Sequence, residues 1–560
     1  MIDNGKIWFA SAGSDYSTKL CLEPKMANRH GFICGATGTG KTVTLKVLSE
    51  SFSEMGVPVF LSDVKGDLSG FILPGQDNEN MQERIKRFGI GESFSYKRFP
   101  TTFYDIYGEK GIPLRTTVSE MGPVLLGQVL GLNDTQCDVL SVVFKIADDQ
   151  KLLLLDTKDL KAMLNYVGEN ISDLEMDYGH IAKATLTTIV RAIVAIEAEG
   201  GDKFFGEPAI DINDLFKTDD NGYGMINVLA SETLINKPKL YAAFMLFLMS
   251  ELFEVLPEVG DPEKPKMVFF FDEAHLLFNS ASPALLEKIA QVVKLIRSKG
   301  VGIYFVTQSP ADIPSDVMSQ LSNKIEHALR AYTPKEIKAV KTAAESFREN
   351  PAFDTAELLQ QLGTGEAVVS LLDVKGIPAP CEHAYILPPE SLMGTITETA
   401  RHDAIVTNVL ADKYSTQVDN DSAYEFFERR RKQLDDENAA AAEAKAKEEA
   451  DAKAQAEADK EAAKEQAAAE KAEAKAQAAA EKAAAKEAAA EAKAKAKAEA
   501  STKKAVKSGM KNVASSTSGT IGREIGKAIG KSVGGSFGKT LGGNVGASLG
   551  RNIIGTLFKL

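Results

Sequence analysis

The sequence predicts an α/β protein whose core is a doubly wound, mostly parallel sheet flanked by helices. The first observation is a set of nearly continuous apolar runs, which suit strands buried on both faces of a parallel sheet. These runs are HGFIC (30–34), VPVFL (57–61), MVFFF (267–271), VGIYFV (301–306) and EAVVSLL (366–372). The second observation is that helix-type stretches separate the runs, and alternation of strands and helices is typical of α/β folds.

A phosphate-binding loop follows the first apolar run. The residues that match G-x-x-x-x-G-K-[ST] are Gly35, Ala36, Thr37, Gly38, Thr39, Gly40, Lys41 and Thr42. The glycines let backbone N–H groups curl around phosphate oxygens, and the helix that follows points its positive end at the same place. We expect Lys41 to reach the β- and γ-phosphates and the Thr42 hydroxyl to ligate Mg²⁺. The motif therefore predicts ATP and Mg²⁺ as ligands.

Three charged residues, Asp63, Lys65 and Asp67, follow the second apolar run in VPVFLSDVKGD. Ligands of open α/β sheets bind outside the carboxyl ends of the strands. These charges therefore lie near the nucleotide, or else they belong to an ordinary solvated turn. The sequence leaves both interpretations open.

A long insertion separates this region from the third apolar run, and its range of about 105–215 reads mainly as helical. The most apolar long stretch of the chain, residues 241–253, comes after it and contains Glu251. It is shorter than the ~18–20 residues needed to span a bilayer. We therefore predict a buried helix there.

The second half of the nucleotide site is predicted in MVFFFDEAH. Asp272 ends an apolar strand, where it would hold Mg²⁺, and Glu273 follows at the strand tip, placed to polarise the attacking water. A paired Asp and Glu at this position favours hydrolysis. His275 is interpreted either as a group that couples the nucleotide state to a neighbour or as a plain helix-start histidine.

Three further residues are candidates for the reaction. Gln308 lies just beyond the run VGIYFV, where its amide is expected to contact the γ-phosphate or the lytic water; the alternative is a satisfied loop amide. An arginine from a neighbouring subunit stabilises the charge of a phosphoryl-transfer transition state. We favour Arg297 as that finger and Arg330 as a sensor of the nucleotide state, against the alternative that both are surface arginines.

Composition divides the chain into four segments: a core (1–393), a linker (394–424), an Ala/Lys/Glu-rich long helix (425–500) and a basic, Gly-rich tail (501–560). Ala, Lys and Glu are strong helix formers. Large apolar residues are missing from heptad positions in the third segment. It is therefore predicted to be a semi-rigid helical spacer or a weak coiled coil with an alanine seam.

The tail carries glycines at every fourth position. They are Gly522, Gly526, Gly530, Gly534, Gly538, Gly542, Gly546 and Gly550, each preceded by an apolar residue. Small residues four apart allow helices to approach closely, but each interior glycine costs about 1 kcal/mol of helix propensity. We expect the tail to need a partner, which is another copy, a protein or an anionic membrane surface.

Charge is distributed unevenly along the chain. The net charge is −13, and 22 Lys/Arg against 15 Asp/Glu lie from Ala439 onward, which leaves −20 for residues 1–438. A free-standing DNA-binding domain normally shows the reverse. The four cysteines are far apart and no signal peptide is predicted, so we expect a cytoplasmic protein, held peripherally at the inner membrane if the tail binds lipid.

Taken together, the motifs resemble the HerA/FtsK superfamily of P-loop motors. The segments that carry the resemblance, within residues 1–393, are NRHGFICGATGTGKTVTLKVL, VPVFLSDVKGDLSG, FFFDEAHLLF, RSKGVGIYFVTQSPADIPSDVMSQL and LGTGEAVVSLLDVKGIPAP. They are most similar to the bacterial helicase HerA-like group. HerA proteins carry an N-terminal β-barrel before the phosphate loop, whereas about 30 residues precede it here, so no barrel is expected.

This resemblance implies a RecA-like ATPase core, a hexameric ring and active sites at the subunit interfaces. It implies that Lys41 and Thr42 bind nucleotide, that Asp272 and Glu273 serve Mg²⁺ and water, that Gln308 senses the phosphate and that Arg297 acts across the interface.

Three functions remain open from the sequence. The first is an ATP-hydrolysing, ring-forming motor that translocates or remodels DNA. The second is a motor or nucleotide switch that acts on a protein or membrane-associated partner recruited by the tail. The third is a non-enzymatic, nucleotide-dependent scaffold.

Overall fold

A computed structural model describes residues 1–279 and 283–492. By their contacts these residues fall into a core unit, Met1–Glu443, and a second unit that begins at Ala444. The glycine repeat of the tail lies outside the described residues.

The described residues contain thirteen strands and seventeen α-helices. The strands are β1 (Ile2–Asp3), β2 (Lys6–Ala12), β3 (Thr18–Leu22), β4 (Gly31–Cys34), β5 (Val59–Asp63), β6 (Thr101–Asp105), β7 (Ile112–Pro113), β8 (Ile226–Ala230), β9 (Met267–Phe271), β10 (Val301–Thr307), β11 (Asn323–His327), β12 (Glu366–Ser370) and β13 (Glu382–Ile386). The helices are α1 (Lys41–Glu54), α2 (Glu79–Arg87), α3 (Val118–Leu130), α4 (Asp134–Asp149), α5 (Thr157–Glu169), α6 (Ile171–Tyr178), α7 (Lys183–Glu197), α8 (Gly201–Phe204), α9 (Pro238–Val255), α10 (His275–Asn279), α11 (Pro283–Ile296), α12 (Ser315–Met318), α13 (Pro334–Glu345), α14 (Thr355–Gln361), α15 (Glu398–Val406), α16 (Ala411–Tyr414) and α17 (Ala423–Ala492).

The strands form one sheet in the order β1-β2-β13-β12-β11-β4-β10-β9-β5-β8-β6-β7, with β3 paired to the other side of β2. The eight strands from β11 to β7 run parallel, and the remaining pairs are antiparallel. This mostly parallel sheet flanked by helices confirms the predicted α/β fold.

Alternate residues of the central strands enter two different hydrophobic clusters. On β9, Phe269 and Phe271 pack into one cluster, whereas Val268 and Phe270 pack into the other. Strands that are buried on both faces have no polar side to show, which is why their sequences read as continuous apolar runs.

One predicted strand has an unexpected direction. The run EAVVSLL does form a strand, β12, but β12 pairs antiparallel with β11. The reason is its starting point. The turn before β12 lies at the carboxyl edge of the parallel strands, where the Gly365 N–H donates to the carbonyl of Thr39, 2.9 Å away. A strand that starts at this carboxyl edge runs toward the opposite edge, so β12 is antiparallel to β11.

The helices α3–α8 occupy residues 118–204 of the range 105–215 that we proposed for the insertion. Their apolar side chains share a cluster with α9, which covers one face of the sheet. Residues 240–250 of α9 are all buried, which confirms the helix predicted over 241–253 as a core element.

Among the described residues, no single helix is long and apolar enough to cross a membrane. Helices α6 and α7, which are joined by a 98° bend, are together long and apolar enough to cross a membrane, by length and composition only.

The segment 394–424 is folded, although the sequence predicted a linker. Tyr414 of α16 is fully buried, and its hydroxyl donates to Asp214. The Arg115 guanidinium donates to the Tyr414 carbonyl at 2.8 Å. A few well-placed side chains thus fix a segment whose composition is mostly polar, and composition alone did not reveal them.

Within the described residues the long helix α17 covers Ala423–Ala492, and positions 493–500 of the predicted range 425–500 lie outside them. Its first turns belong to the core unit, where Phe427 stacks on Tyr166 with ring centroids 4.7 Å apart. All side chains of residues 428–473 are exposed. This agrees with a helix supported by local propensity rather than by burial.

Candidate functional site

The predicted phosphate-binding loop connects β4 to α1. Its backbone is tied to the two strands beside β4. The Gly35 N–H donates to the carbonyl of Thr307 at 3.3 Å, and the Ala36 N–H donates to that of Ala328 at 2.8 Å. Gly40 has φ +117°, and a Cβ there would lie 3.2 Å from Gly365. The loop therefore needs glycine at this position both for its backbone conformation and for space.

Lys41 and Thr42 open the first turn of α1. The Lys41 ammonium is buried and donates to the carbonyls of Gly35 and Ala36 at 2.7 and 3.1 Å. Burial lowers the pKa of Lys41. The Thr42 hydroxyl lies 3.4 Å from Oδ2 of Asp67. The cation and the hydroxyl that phosphates and Mg²⁺ require are thus at the mouth of the loop.

Asp272 and Glu273 follow β9 at the same edge of the sheet. Both are buried, Glu273 to 3% exposure. Burial and the charge of Glu273 raise the pKa of Asp272 to about 7. Glu273 has φ +49°, a left-handed conformation that is uncommon for a non-glycine residue. Backbone strain of this kind tends to occur at functional sites.

Gln308 and Lys65 converge on the Glu273 carboxylate from neighbouring strands. The Lys65 ammonium donates to Oε1 at 2.6 Å, and the Gln308 amide donates to both oxygens at 3.1 and 3.2 Å. Nδ1 of His275 lies 3.3 Å from Oε2. Burial alone would raise the pKa of Glu273, but the hydrogen bonds and charge of these neighbours hold it below its usual range.

The segment after β5 belongs to the site and is no ordinary solvated turn. The Asp63 carboxylate accepts the N–H groups of Gly66 and Leu68 at 2.7 and 3.1 Å. This fixes the turn from which Lys65 and Asp67 reach the carboxyl edge. Burial, followed by the charge of Asp67, raises the pKa of Asp63 to about 7.

Asp67 and Thr42, whose oxygens lie 3.4 Å apart, and Asp272 are the candidate ligands of a magnesium ion. Oδ1 of Asp67 is buried and, within the part of the chain that the structure describes, has no hydrogen-bond partner. Carboxylate and hydroxyl oxygens are the hard donors that Mg²⁺ prefers. Among the described residues no cluster of three His, Cys, Asp or Glu side chains forms a closed metal site. Magnesium here would therefore take part of its ligand shell from substrate phosphates and water.

Two residues that support the phosphate loop and the turn beside it, His327 and Arg84, were not predicted as site residues. His327 of β11 is buried and contacts the Thr44 hydroxyl at 2.8 Å and the Glu366 carbonyl at 2.8 Å. Arg84 of α2 donates to the carbonyls of Thr364 and Ile386. The strand of His327 is short and polar, and Arg84 lies far from the loop along the chain. The sequence carried no local signal for either contact.

The two candidate arginines lie apart. Arg330 follows β11 at the carboxyl edge, and its guanidinium donates to the carbonyls of Gln360 and Leu362 at 2.6 and 3.1 Å. Arg297 precedes β10 and so lies at the opposite edge, where it pairs with Asp261 at 3.2 Å. The seven residues of β10, roughly 20 Å long, separate it from Gln308. The structure does not bring Arg297 to the site of its own chain.

Comparison with known proteins gives one family for this chain. Residues 10–486 match the family described as Helicase HerA-like C-terminal.

Two similar proteins come from archaea. The DNA double-strand break repair helicase HerA of Sulfolobus acidocaldarius is 23% identical over 379 residues, which cover 64% of this chain and 65% of that protein. A probable helicase of Methanocaldococcus jannaschii is 32% identical over 396 residues, 66% of this chain and 69% of that protein. The chain thus spans just under two thirds of the length of the Sulfolobus protein.

Similar solved structures include the bacterial conjugative coupling protein TrwB, which is 13% identical, with 70% of this chain and 90% of that chain covered and a TM-score of 0.47. VirB4 of Thermoanaerobacter pseudethanolicus is 16% identical, with 69% and 97% covered and a TM-score of 0.43.

Proposed function

Because the chain belongs to the helicase HerA-like C-terminal family, we propose that it is an ATP-hydrolysing motor that translocates or remodels DNA. The observation that supports this most is the set of side chains at one edge of the parallel sheet. Lys41, Thr42, Asp272, Glu273 and Gln308 come from three neighbouring strands and meet there.

In the proposed reaction, the loop N–H groups and Lys41 bind the phosphates of ATP. Thr42, Asp272 and Asp67 would hold Mg²⁺, which neutralises charge on the phosphate oxygens when bound. Glu273 accepts the proton of the attacking water, and its buried carboxylate is oriented for this by Gln308. The Thr37 hydroxyl lies 3.4 Å from the Gln308 amide oxygen. Gln308 is therefore placed to link the phosphate loop to the catalytic base.

We propose a hexameric ring as the working form, with Arg297 of one subunit completing the site of the next. The position of Arg297 at the far edge of its own sheet supports a role across an interface. Arg330, at the near edge, is proposed as the sensor of the nucleotide state in its own subunit.

We also propose a division into an ATPase core with the helical insertion 105–215, the long helix, and a tail that recruits a partner. In this division the segment 394–424 is part of the core.

DNA is proposed as the substrate because the archaeal relatives are helicases by name. Residues 1–438 carry a net negative charge. Basic side chains that contact DNA would therefore be confined to a small part of the surface, such as the lining of a ring. The second candidate, a motor for a protein or membrane-associated partner, is favoured by the same acidic balance.

The test is ATP hydrolysis by the purified full chain, with and without single- and double-stranded DNA. We expect Mg²⁺-dependent hydrolysis that DNA stimulates, with a stimulation that weakens as salt is raised, since phosphate contacts release counterions. A Lys41→Ala variant is the control for contaminating ATPases.

The other results separate the alternatives. Hydrolysis that no nucleic acid changes would exclude the DNA motor and leave the motor for a protein partner. No hydrolysis under any condition, with nucleotide still bound, would indicate the scaffold.

A further inference from the structure

The Glu273 carboxylate is engaged on both oxygens in this structure. An ionised carboxylate offers about four lone-pair positions on its two oxygens. Oε1 faces Lys65 and Gln308, and Oε2 faces Gln308 and His275, with separations from 2.6 to 3.3 Å. A base held in this way is more accessible to water once one of its two donors, Lys65 or Gln308, moves away.

Lys65 is the donor that is free to move. Its side chain is 45% exposed, whereas that of Glu273 is only 4% exposed. Its four-carbon stem is flexible and its ammonium is a compact charge. Gln308 is exposed as well, but its amide group has a second contact, with the Thr37 hydroxyl at 3.4 Å, and its shorter side chain contacts both carboxylate oxygens. His275 is attached two residues along the same segment as Glu273.

A phosphate in the loop would compete directly for Lys65. The turn that carries Lys65 is fixed by Asp63 and also places Asp67 beside Thr42, at the mouth of the loop. The Lys65 ammonium therefore starts close to where a terminal phosphate would lie. Such a phosphate carries about two negative charges, against one on Glu273.

We propose that Lys65 is a positioning residue that holds Glu273 and is drawn off it by the terminal phosphate of ATP. This inference rests on the proposed function and adds a regulation of the same site. It couples the presence of a third phosphate to the release of the base, so that ADP leaves Glu273 restrained.

A plain stabilising ion pair is the competing explanation, and the chain offers a matched control for it. Lys19 pairs with Asp3 at the same 2.6 Å, with 42% of the lysine side chain exposed, on strands away from the site. Lys65→Met and Lys19→Met therefore each remove an ion pair made by a lysine of similar exposure, and only the first should affect nucleotide preference.

The experiment is a binding cycle that needs no turnover. The dissociation constants of ADP and of a non-hydrolysable ATP analogue are measured for the wild type, Lys65→Met, Glu273→Gln and the double variant. Thermal melting checks folding, and Lys65→Arg tests whether a second cation restores the effect.

We expect Lys65→Met to weaken binding of the ATP analogue about tenfold, the size of one charge-assisted hydrogen bond. The dissociation constant of ADP should change less than about twofold. Glu273→Gln should tighten the analogue several-fold, because it removes the competitor for Lys65. That gain should vanish in the double variant. Lys65→Arg should recover at least half of the lost preference for the ATP analogue over ADP. Lys19→Met should leave the affinity for both ligands unchanged.

Equal effects on ADP and the ATP analogue, or a gain from Glu273→Gln that persists without Lys65, would overturn the proposal. Failure of the proposed function gives a different result. A wild type that hydrolyses no ATP but shows the expected cycle would retain the coupling of Lys65 to the third phosphate and lose the motor.

Discussion

Glu273 is the residue on which the site depends most. It is buried, it adopts a left-handed backbone conformation, and a lysine ammonium and a glutamine amide hold its carboxylate. Burial and the left-handed backbone cost free energy that a surface acid at a strand end would avoid, and the two donors offset part of the cost of burying the charge. Their combination fixes the direction in which one carboxylate points, which is what general-base catalysis requires.

Replacing Glu273 with Gln tests this role directly. The amide keeps the size of the side chain but cannot accept a proton. We expect the kcat for ATP hydrolysis to fall by about 10²–10⁴-fold, the usual contribution of a general base, while nucleotide binding persists. Hydrolysis is measured by the release of phosphate, and nucleotide binding is measured by fluorescence. Turnover within tenfold of the wild type would show that another group is the base.

The sequence predicted the phosphate loop, Asp272, Glu273 and Gln308 as site residues from motifs that fix both type and position, and the structure places them at one edge of the sheet; their roles stay predictions. It left Lys65 and Asp67 open, because a charge at a strand end does not indicate which neighbour it will contact. His327 and Arg84 went unpredicted, because each contact joins residues more than 250 positions apart.

At the scale of elements, the phosphate loop is held between neighbouring strands as well as by its own sequence. Carbonyls at the carboxyl ends of β10 and β11 accept its first N–H groups, and the turn before β12 contacts it through the bond from the Gly365 N–H to the Thr39 carbonyl. Movement of any of these strands is transmitted to the loop without passing through a flexible linker.

Asp214 joins the insertion to α16 and is a test of that junction. Its carboxylate accepts from Tyr414, Lys413 and Lys217. Burial opposes ionisation, but these donors lower the pKa of Asp214 to about 2. The carboxylate therefore adds stability above about pH 4, and this contribution is lost as the pH falls toward 2.

We expect Asp214→Asn to lower the melting temperature of the core by roughly 2–6 °C at neutral pH, since it weakens hydrogen bonds to charged groups. Tyr414→Phe, which removes one donor, should have a smaller effect. Scanning calorimetry at pH 7 and pH 3 measures both variants, and the difference between Asp214→Asn and the wild type should shrink at pH 3. An unchanged melting temperature would mean that apolar packing alone holds α16.

Strand prediction succeeded where burial on both faces left a continuous apolar run, as in β9 and β10. It missed β11, because the segment NKIEH is too polar to stand out, and it missed β8, because Asn227 interrupts the apolar run INVLA. The segment 394–424 was predicted to be a linker for a similar reason. The stability of α16 comes from partners in the insertion, which no local pattern records.

At the scale of the whole molecule, the proposed ring predicts complementation between inactive variants. Arg297→Ala should reduce hydrolysis about 10³-fold or more if it is the finger. A subunit with Glu273→Gln still supplies Arg297 to its neighbour. An equal mixture of the two variants should therefore recover roughly a quarter of the wild-type rate, since about one interface in four pairs an intact base with an intact arginine.

The control for this experiment is Asp261→Asn, which removes the ion pair of Arg297 but keeps the arginine. It should hydrolyse ATP at close to the wild-type rate. No recovery in the mixture, with recovery when Arg330→Ala replaces Arg297→Ala, would reverse the two assignments. The sequence could propose such a ring only through family resemblance, because interfaces between identical subunits leave no motif of their own.

The two edges of the sheet have a consequence for how copies of this chain can associate. One edge is β3, which carries Lys19 and is joined to β2 through a bulge between Trp8 and Ala10. The other is β7, two residues long and ending in Pro113. A charged side chain and a bulge at one edge, and a short strand with a proline at the other, each oppose the addition of another strand to the sheet. Among the described residues, then, neither edge is a template for open-ended polymerisation through backbone pairing. The proposed ring would therefore form through side-chain surfaces of the core, whose geometry can close on itself at a fixed number of subunits.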